Sequence, residues 1–448
     1  MEENENTIHH VLRPLLRWAG GIVLGLIATV LLILSAYWLA AQAMLHSRRA
    51  ELDAAWKKTL PSIETLDARY RPEPANRAAS ELDECIKPLG LNISIGLGSK
   101  PIRRNVSTLE EPDPTAVNIW EVEDYVRRAY HDPESDAEPP PPPVVKTLAA
   151  QAAALEKARD ILNGSDKPRW KFTPDSFHSF YIPDLMAAGK LHQLLWARAL
   201  SLETMGKHGE AVTYVRAAWN LVLAFGRRNE TISCLVAVVM ARRQAVLLPK
   251  VPIPSQQWER DVHNLELKGQ LVNSLYFDAW SQYRAQEAPG LLGMYASEPG
   301  WRKLEFPLIR LDLIQILRRK AVVFAELEKF PDCPFRPADF EGRLVLPGWH
   351  VGGDIKIFDV YCVWNRAIIC GISFQLADRA LYAMEGKPYP AVSPLPGGSG
   401  CPGNNWAYTR LPGHRLEIRF TRDVDSWMRP RARTPMKVVV RTHGQPGG

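Results

Sequence analysis

The apolar positions of the chain follow a helical period over most of its length. Between residues 144 and 385, apolar side chains recur three and four residues apart, the spacing of one helix face. Proline and glycine interrupt the pattern repeatedly, and we expect turns there. The pattern predicts helices over Val144–Asn163, Leu185–Met205, Gly209–Phe225, Thr231–Leu248, Gln256–Asn264, Leu271–Gln286, Phe306–Lys329 and Ile355–Met384. The predicted fold class is mainly α, with several antiparallel helices.

The most apolar segment lies near the start of the chain. No charged residue occurs from Trp18 to Leu45, and the core of this segment runs from Ile22 to Ala41. About 20 apolar residues in a helix span the hydrocarbon layer of a bilayer. We therefore predict one N-terminal transmembrane helix, with the membrane as a partner. A cleaved signal peptide is the alternative, because Ala41-Gln42-Ala43 has the pattern of a cleavage site.

Basic residues flank this segment on both sides. Arg13 and Arg17 precede it, and Arg48, Arg49, Lys57 and Lys58 follow it. The count of lysine and arginine alone favours a cytoplasmic C-terminal domain. A short tail before one apolar segment is nevertheless typical of a signal anchor, and long domains translocate largely regardless of flanking charge. We predict that the apolar segment is retained as an anchor and that the C-terminal domain is extracytoplasmic.

Composition divides the chain further. A short tail (1–17) and the anchor (18–45) precede juxtamembrane helices over 46–90, which Pro61 is expected to break. Residues 91–143 are interpreted as an irregular, proline-rich spacer ending in five prolines, in which residues 119–130 favour a short amphipathic helix. The helical domain (144–385) follows, and residues 386–448 are predicted to form a small β-hairpin and a basic flexible tail.

The basic tail carries five cationic residues that a membrane surface attracts, namely Arg429, Arg431, Arg433, Lys437 and Arg441. A solubilising, frayed end is the interpretation that we favour over a contact with anionic lipid.

Charge and cysteine usage exclude several classes of protein. The net charge is +6, with 55 basic and 49 acidic residues dispersed along the chain, so we predict no nucleic-acid partner. The six cysteines form no CxxC motif, which argues against a zinc ribbon or a thioredoxin-like centre. Cys333 and Cys401 lie in proline- and glycine-rich loops and are the predicted candidates for a disulfide. Cys234, Cys362 and Cys370 lie in apolar helical patterns and are interpreted as buried free thiols.

The sequence contains none of the common catalytic or cofactor motifs. HExxH, the Walker loop, GxGxxG and GxSxG are all absent. We therefore assign no catalytic, cofactor-binding or metal-binding residue, expect no cofactor and favour a protein that is not an enzyme.

One helical hairpin has repeat-like chemistry. Leu194–Trp219 has small residues where two helices would meet and a glycine-rich turn between them, at Ala199, Gly206, Gly209, Ala211 and Ala218. In this respect it resembles one tetratricopeptide-type unit. No second copy follows at a 34-residue period, so an array of repeats is not predicted. We predict that this hairpin lines a binding surface through Trp196, Tyr214 and Trp219.

A broader resemblance covers residues 168–420. Four segments are similar to those of a group of poorly characterised bacterial single-pass envelope proteins. They are PRWKF (Pro168–Phe172), the hairpin above, NETISCLVAVVMARRQAV (Asn229–Val246) and ALYAMEGKPYP (Ala380–Pro390), the last followed by a strand pair. The resemblance implies a bacterial source and no particular activity. With that source, the predicted location is the bacterial inner (cytoplasmic) membrane, with the C-terminal domain periplasmic or extracytoplasmic.

Three functions follow as hypotheses. The favoured one is a membrane-anchored helical domain that binds or scaffolds a protein partner in the bacterial envelope. The second is an envelope enzyme whose site assembles from distant residues, which a pocket with two ionisable groups of shifted pKa would indicate. The third is a carrier of an apolar small molecule or lipid, which requires an apolar cavity between helices.

Overall fold

The computed structural model describes residues 2–94, 119–174, 182–287, 314, 317, 357–395, 405–421 and 435–442. The chain divides into two compact units. The first includes residues 1–60 and contains helix α1 (Glu2–Thr59). The second includes residues 61–285 and 355–448. The structure is mostly helical, as predicted, with a small antiparallel sheet in the second unit.

Helix α1 contains the predicted membrane segment. Its stretch Gly21–Lys58 includes an 18-residue window of mean hydropathy 2.5, and none of that window is buried. The length and composition of this stretch fit a helix that crosses a membrane, and a signal sequence has the same properties. The first juxtamembrane helix continues α1 without interruption to Thr59, and Pro61 follows, where proline was expected to break it.

The second unit begins with a series of short helices, which are α2 (Ile63–Arg69), α3 (Arg77–Ile86), α4 (Ile119–His131), α5 (Pro142–Ala150) and α6 (Ala152–Asn163). Longer helices follow, and these are α7 (Leu185–Thr204), α8 (His208–Gly226), α9 (Thr231–Leu247), α10 (Ser255–Leu265), α11 (Leu267–Glu287) and α12 (Ile357–Met384).

Most predicted helices are confirmed with bounds close to those expected, with one correction. The single helix predicted over residues 144–163 is two helices, α5 and α6, because Gln151 between them leaves helical geometry at φ −105° and ψ 9°. The helix predicted over Phe306–Lys329 lies outside the described residues except for Ile314 and Leu317, which are helical.

Aromatic side chains fill the core where α8, α10 and α12 meet. The ring centroids of Trp219 and Trp258 are 5.2 Å apart, and those of Trp258 and Phe374 are 5.5 Å apart. Both contacts are edge-on, a favourable geometry for aromatic pairs. The Trp258 indole also donates a hydrogen bond to the Phe374 carbonyl at 3.3 Å. These contacts bind the late helix α12 to the hairpin of α7 and α8.

Helix α9 lies inside this core. The segment Thr231–Lys250 is apolar and long enough to cross a membrane, but 56% of its apolar window is buried in the protein. Gln244 of α9 accepts a hydrogen bond from the Trp196 indole at 2.7 Å and donates one to the Val215 carbonyl at 3.0 Å. Because α9 joins α7 and α8 through this buried network, we interpret it as a core helix.

The sheet contains β1 (Trp406–Leu411), β2 (Arg415–Phe420) and β3 (Lys437–Arg441), all antiparallel in that order. The first two strands are the predicted hairpin, and its turn places Gly413 at φ +75°, a region that glycine adopts without strain. The third strand corrects the prediction of a frayed tail for residues 437–441. The physical reason is apolar burial, because Val438 and Val440 pack with Leu376 and Ala380 of α12. Arg429, Arg431 and Arg433 lie outside the described residues.

Residues after α4 cover the outer edge of β3. The Val439 amide donates to the Pro133 carbonyl at 2.7 Å, and the Ser135 amide donates to the Val439 carbonyl at 2.9 Å. Within the predicted 91–143 spacer, residues 119–143 therefore belong to the packed unit. The run of prolines enters α5 at Pro142, because the first turn of a helix needs no amide donor.

Candidate binding cleft

The three aromatic residues predicted to line a binding surface are buried. Trp196 is 0% exposed, Tyr214 1% and Trp219 3%. The helical hairpin of α7 and α8 forms as predicted, but other helices cover it, with α4 against α7 and α6 and α9 against α8. In this environment the three side chains are core residues, and a surface that binds a partner must be built from others.

The predicted disulfide pair, Cys333 and Cys401, lies outside the described residues. Cys234 and Cys370 are buried free thiols, as predicted, and Cys85 is a third, whereas the side chain of Cys362 lies outside the described part of the chain. Burial raises the pKa of Cys85 to about 11 and that of Cys234 to about 12. Such thiols stay protonated at neutral pH and are poor nucleophiles.

A cleft of about 400 Å³ opens between α4, α7 and α9. Most of its wall consists of polar and aromatic side chains, and the lining residues are Trp120, Glu123, Asp124, Arg127, Tyr130, His131, Gln193, Val239, Arg242 and Arg243. All of them lie within the second unit.

Helical spacing places these side chains on the cleft. In α4, residues 120, 123, 124, 127 and 131 recur at three- and four-residue intervals, whereas Val122, Tyr125 and Val126 are buried on the other face. In α9, Val239, Arg242 and Arg243 have the same spacing. The amphipathic helix α4 therefore forms one wall of the cleft, and the pair of arginines in the otherwise apolar helix α9 forms the other.

Gln193 of α7 joins the two walls. Its amide, oriented to suit both neighbours, donates to Glu123 Oε1 at 3.0 Å and accepts from the Arg243 guanidinium at 3.0 and 3.2 Å. At the mouth, Trp120 is 74% exposed and Val239 is 37% exposed. The Lys190 ammonium lies 6.0 Å from the centroid of the Trp120 ring, at the outer limit of a cation–π contact.

The electrostatics of the cleft favour an anion. Burial lowers the pKa of Arg243, but arginine remains protonated at any physiological pH because its ordinary pKa is so high. Burial, followed by the charge of Arg127, lowers the pKa of His131, so this imidazole is neutral at pH 7. Asp124 forms ion pairs within α4, since it contacts Arg127 and also lies 3.4 Å from Arg128.

A second polar cluster lies at the end of α12 and explains the ALYAMEGKPYP segment. The Tyr389 hydroxyl donates to Asp378 Oδ2 at 2.9 Å, and the Arg379 guanidinium lies 3.9 Å from the Tyr389 ring centroid and 4.6 Å from that of Trp406. Burial raises the pKa of Asp378 to about 7. These contacts connect α12 to the following loop and to β1, which is a structural role.

The PRWKF segment has a structural role as well. The buried Arg228 guanidinium donates to the carbonyls of Trp170 at 3.1 Å and Lys171 at 3.2 Å, and it forms an ion pair with Glu230. The amide and carbonyl of Phe172 pair with those of Glu73 at 2.8 and 2.9 Å. The PRWKF and ALYAMEGKPYP segments are therefore explained by packing, whereas Asn229–Val246 contains Val239, Arg242 and Arg243 of the cleft.

The cleft is not visible in the sequence. Its walls come from helices that are far apart in the chain, and contacts between them cannot be read from local spacing. One signal was present, because Arg242 and Arg243 interrupt an otherwise apolar helix, and charge in such a position requires compensation.

Within the described residues, no cluster of three histidine, cysteine or acidic side chains could hold a metal ion. Comparison of the chain with protein-family models, with curated proteins and with solved structures finds no match.

Proposed function

We propose that the protein is a membrane-tethered helical domain of the bacterial envelope that binds a protein partner through the cleft between α4, α7 and α9. The observation that carries the proposal is the exposed Trp120 at the mouth of a cleft that contains Tyr130 and three arginines. Tryptophan, tyrosine and arginine are the residues that contribute most to binding energy at protein interfaces. The apolar window of α1 supports the tether.

The cleft favours binding over the two alternative functions. Its walls carry several charged groups, whereas a lipid or another apolar ligand needs a cavity lined mainly by hydrophobic side chains. Its two groups of lowered pKa are a permanently charged arginine and a neutral histidine at the rim, and no nucleophile is placed between them. In this proposal the α7–α8 hairpin, which resembles a tetratricopeptide unit, is the scaffold that positions α4 and α9.

Site-specific photo-crosslinking in living cells tests the proposal. Benzoylphenylalanine in place of Trp120 is expected to give a discrete crosslinked protein band. The matched control carries the same group in place of Met205, which is 55% exposed at the C-terminal end of α7 and away from the cleft lining. Identical bands at both positions, or none at Trp120, contradict the proposal.

A further inference from the structure

Arg243 is a half-buried cation that has no direct ion pair in the described part of the chain, since Gln193 stands between it and the Glu123 carboxylate. Its guanidinium contacts the side-chain oxygen of Gln193, an uncharged acceptor, and it forms no ion pair there. Buried charges in proteins are normally paired, because an unpaired one loses hydration without compensation. The remaining donors of Arg243 are therefore suited to an external anion.

Tyr130 contributes a donor without an acceptor to the same cleft. Its hydroxyl is buried and has no hydrogen-bond partner among the described residues. Tyrosine hydroxyls that are removed from water usually find a partner. Two donors of different kinds thus line one cleft, since the Tyr130 hydroxyl has no acceptor and the Arg243 guanidinium has only the uncharged oxygen of Gln193.

We propose that this cleft binds a carboxylate on an acidic segment of the protein partner, with Arg243 and Tyr130 donating to its oxygens. A guanidinium matches a carboxylate in shape, since two parallel N–H groups face two oxygens. Trp120 and Val239 at the mouth contact an apolar side chain next to the acidic one. The inference rests on the proposed function and specifies the chemistry of the partner.

Two features favour a peptide carboxylate over a small inorganic anion. The cleft volume of about 400 Å³ exceeds that of a single oxyanion, and exposed apolar groups stand beside the charged ones. In addition, Glu123 and Asp124 are part of the wall. Their negative charge opposes a doubly charged phosphate more strongly than a singly charged carboxylate.

Isothermal titration of the full-length chain in detergent micelles tests the inference. The probes are a blocked pentapeptide Ala-Glu-Phe-Ala-Ala, which carries one carboxylate, its counterpart with glutamine in place of glutamate, which has the same aromatic group without charge, and inorganic phosphate. We expect the acidic peptide alone to bind, with an affinity that falls as salt is added. Arg243→Gln is expected to weaken binding by at least about tenfold, and Tyr130→Phe by a smaller factor.

The matched control is Arg410→Gln, which removes the same charge from an exposed position on β1 and should leave the affinity unchanged. Arg243→Lys keeps the charge but loses the two parallel N–H groups of the guanidinium, so it should bind the peptide more weakly than the native chain. This variant provides the test if Arg243→Gln does not fold. Equal binding of both peptides, saturation by phosphate but not by peptide, or no binding at millimolar concentration overturns the inference. If Trp120 gives a crosslink but the titration fails, the proposed function is retained. Only the inference that the partner presents an acidic segment is then rejected.

Discussion

At the scale of single residues, unsatisfied polar groups mark the places where this fold departs from ordinary packing. His192 on α7 is fully buried, and neither of its ring nitrogens has a hydrogen-bond partner among the described residues. Burial, assisted by the charge of Arg243, lowers the pKa of His192 to about 3. Unlike Arg243, this side chain does not line the cleft, so we assign it an effect on stability and none on binding.

Replacement of His192 by leucine should reduce the decrease in the free energy of unfolding that the native chain shows as the pH is lowered. Between pH 6.5 and 3 the unfolded chain binds a proton at this residue and the folded chain does not, so stability falls as the pH is lowered through this range. From pH 8 to pH 5 the native chain should lose about 2 kcal/mol that the His192→Leu variant retains. Urea unfolding at both pH values measures the difference.

His192→Gln separates titration from packing in the same experiment. It also cannot titrate, so its profile should be as flat, but a buried amide without partners lowers its stability at every pH. An acid slope equal to that of the native chain in both variants would contradict the assignment.

At the scale of secondary-structure elements, buried polar links hold together parts that are distant in the sequence. Lys250, which follows α9, is 3% exposed and donates to Asp132 Oδ2 at 2.7 Å, to the Glu134 carbonyl at 2.5 Å and to the Asp136 carbonyl at 3.4 Å. The segment that it contacts is the one that pairs with the edge of β3. The Lys250 ammonium therefore connects the segment that pairs with the edge of β3 to the helical core.

Substitution of Lys250 by methionine should cost about 2–3 kcal/mol, because it removes the buried partner of an ion pair with the partly exposed Asp132 and leaves two carbonyls without this donor. The matched control is Lys437→Met on β3, whose ammonium is 3.8 Å from Glu417 and half exposed. The control should change stability by less than about 1 kcal/mol. Urea unfolding followed by far-ultraviolet circular dichroism compares the two, and equal losses would refute the role of Lys250.

At the scale of the whole molecule, the unit that carries the cleft and the helix that carries the apolar window are separate. The chain contains six cysteines, of which Cys85, Cys234 and Cys370 are buried. Orientation can therefore be measured with one introduced thiol in a cysteine-free background. Thr409 on β1 is exposed and suits this purpose.

We expect a membrane-impermeant maleimide to label Thr409→Cys in intact cells, because the proposed tether places the second unit outside the cytoplasm. The cysteine-free chain is the blank, and labelling after lysis shows that the thiol is reactive. Labelling that appears only after lysis would place the unit in the cytoplasm, in agreement with the basic residues that follow the apolar segment.

Local pattern determined most of the described helices, the apolar segment and the first hairpin of the sheet, because each depends on spacing within a short stretch of chain. Tertiary structure alone decided the rest. Strand β3 was hidden in a basic tail, since only the contact with α12 makes its valines part of a core. Trp196 and Trp219 resembled surface anchors until α4, α6 and α9 covered the hairpin. The cleft joins Trp120, Gln193 and Arg243 from three helices, and such long-range proximity leaves no periodic signal in the sequence.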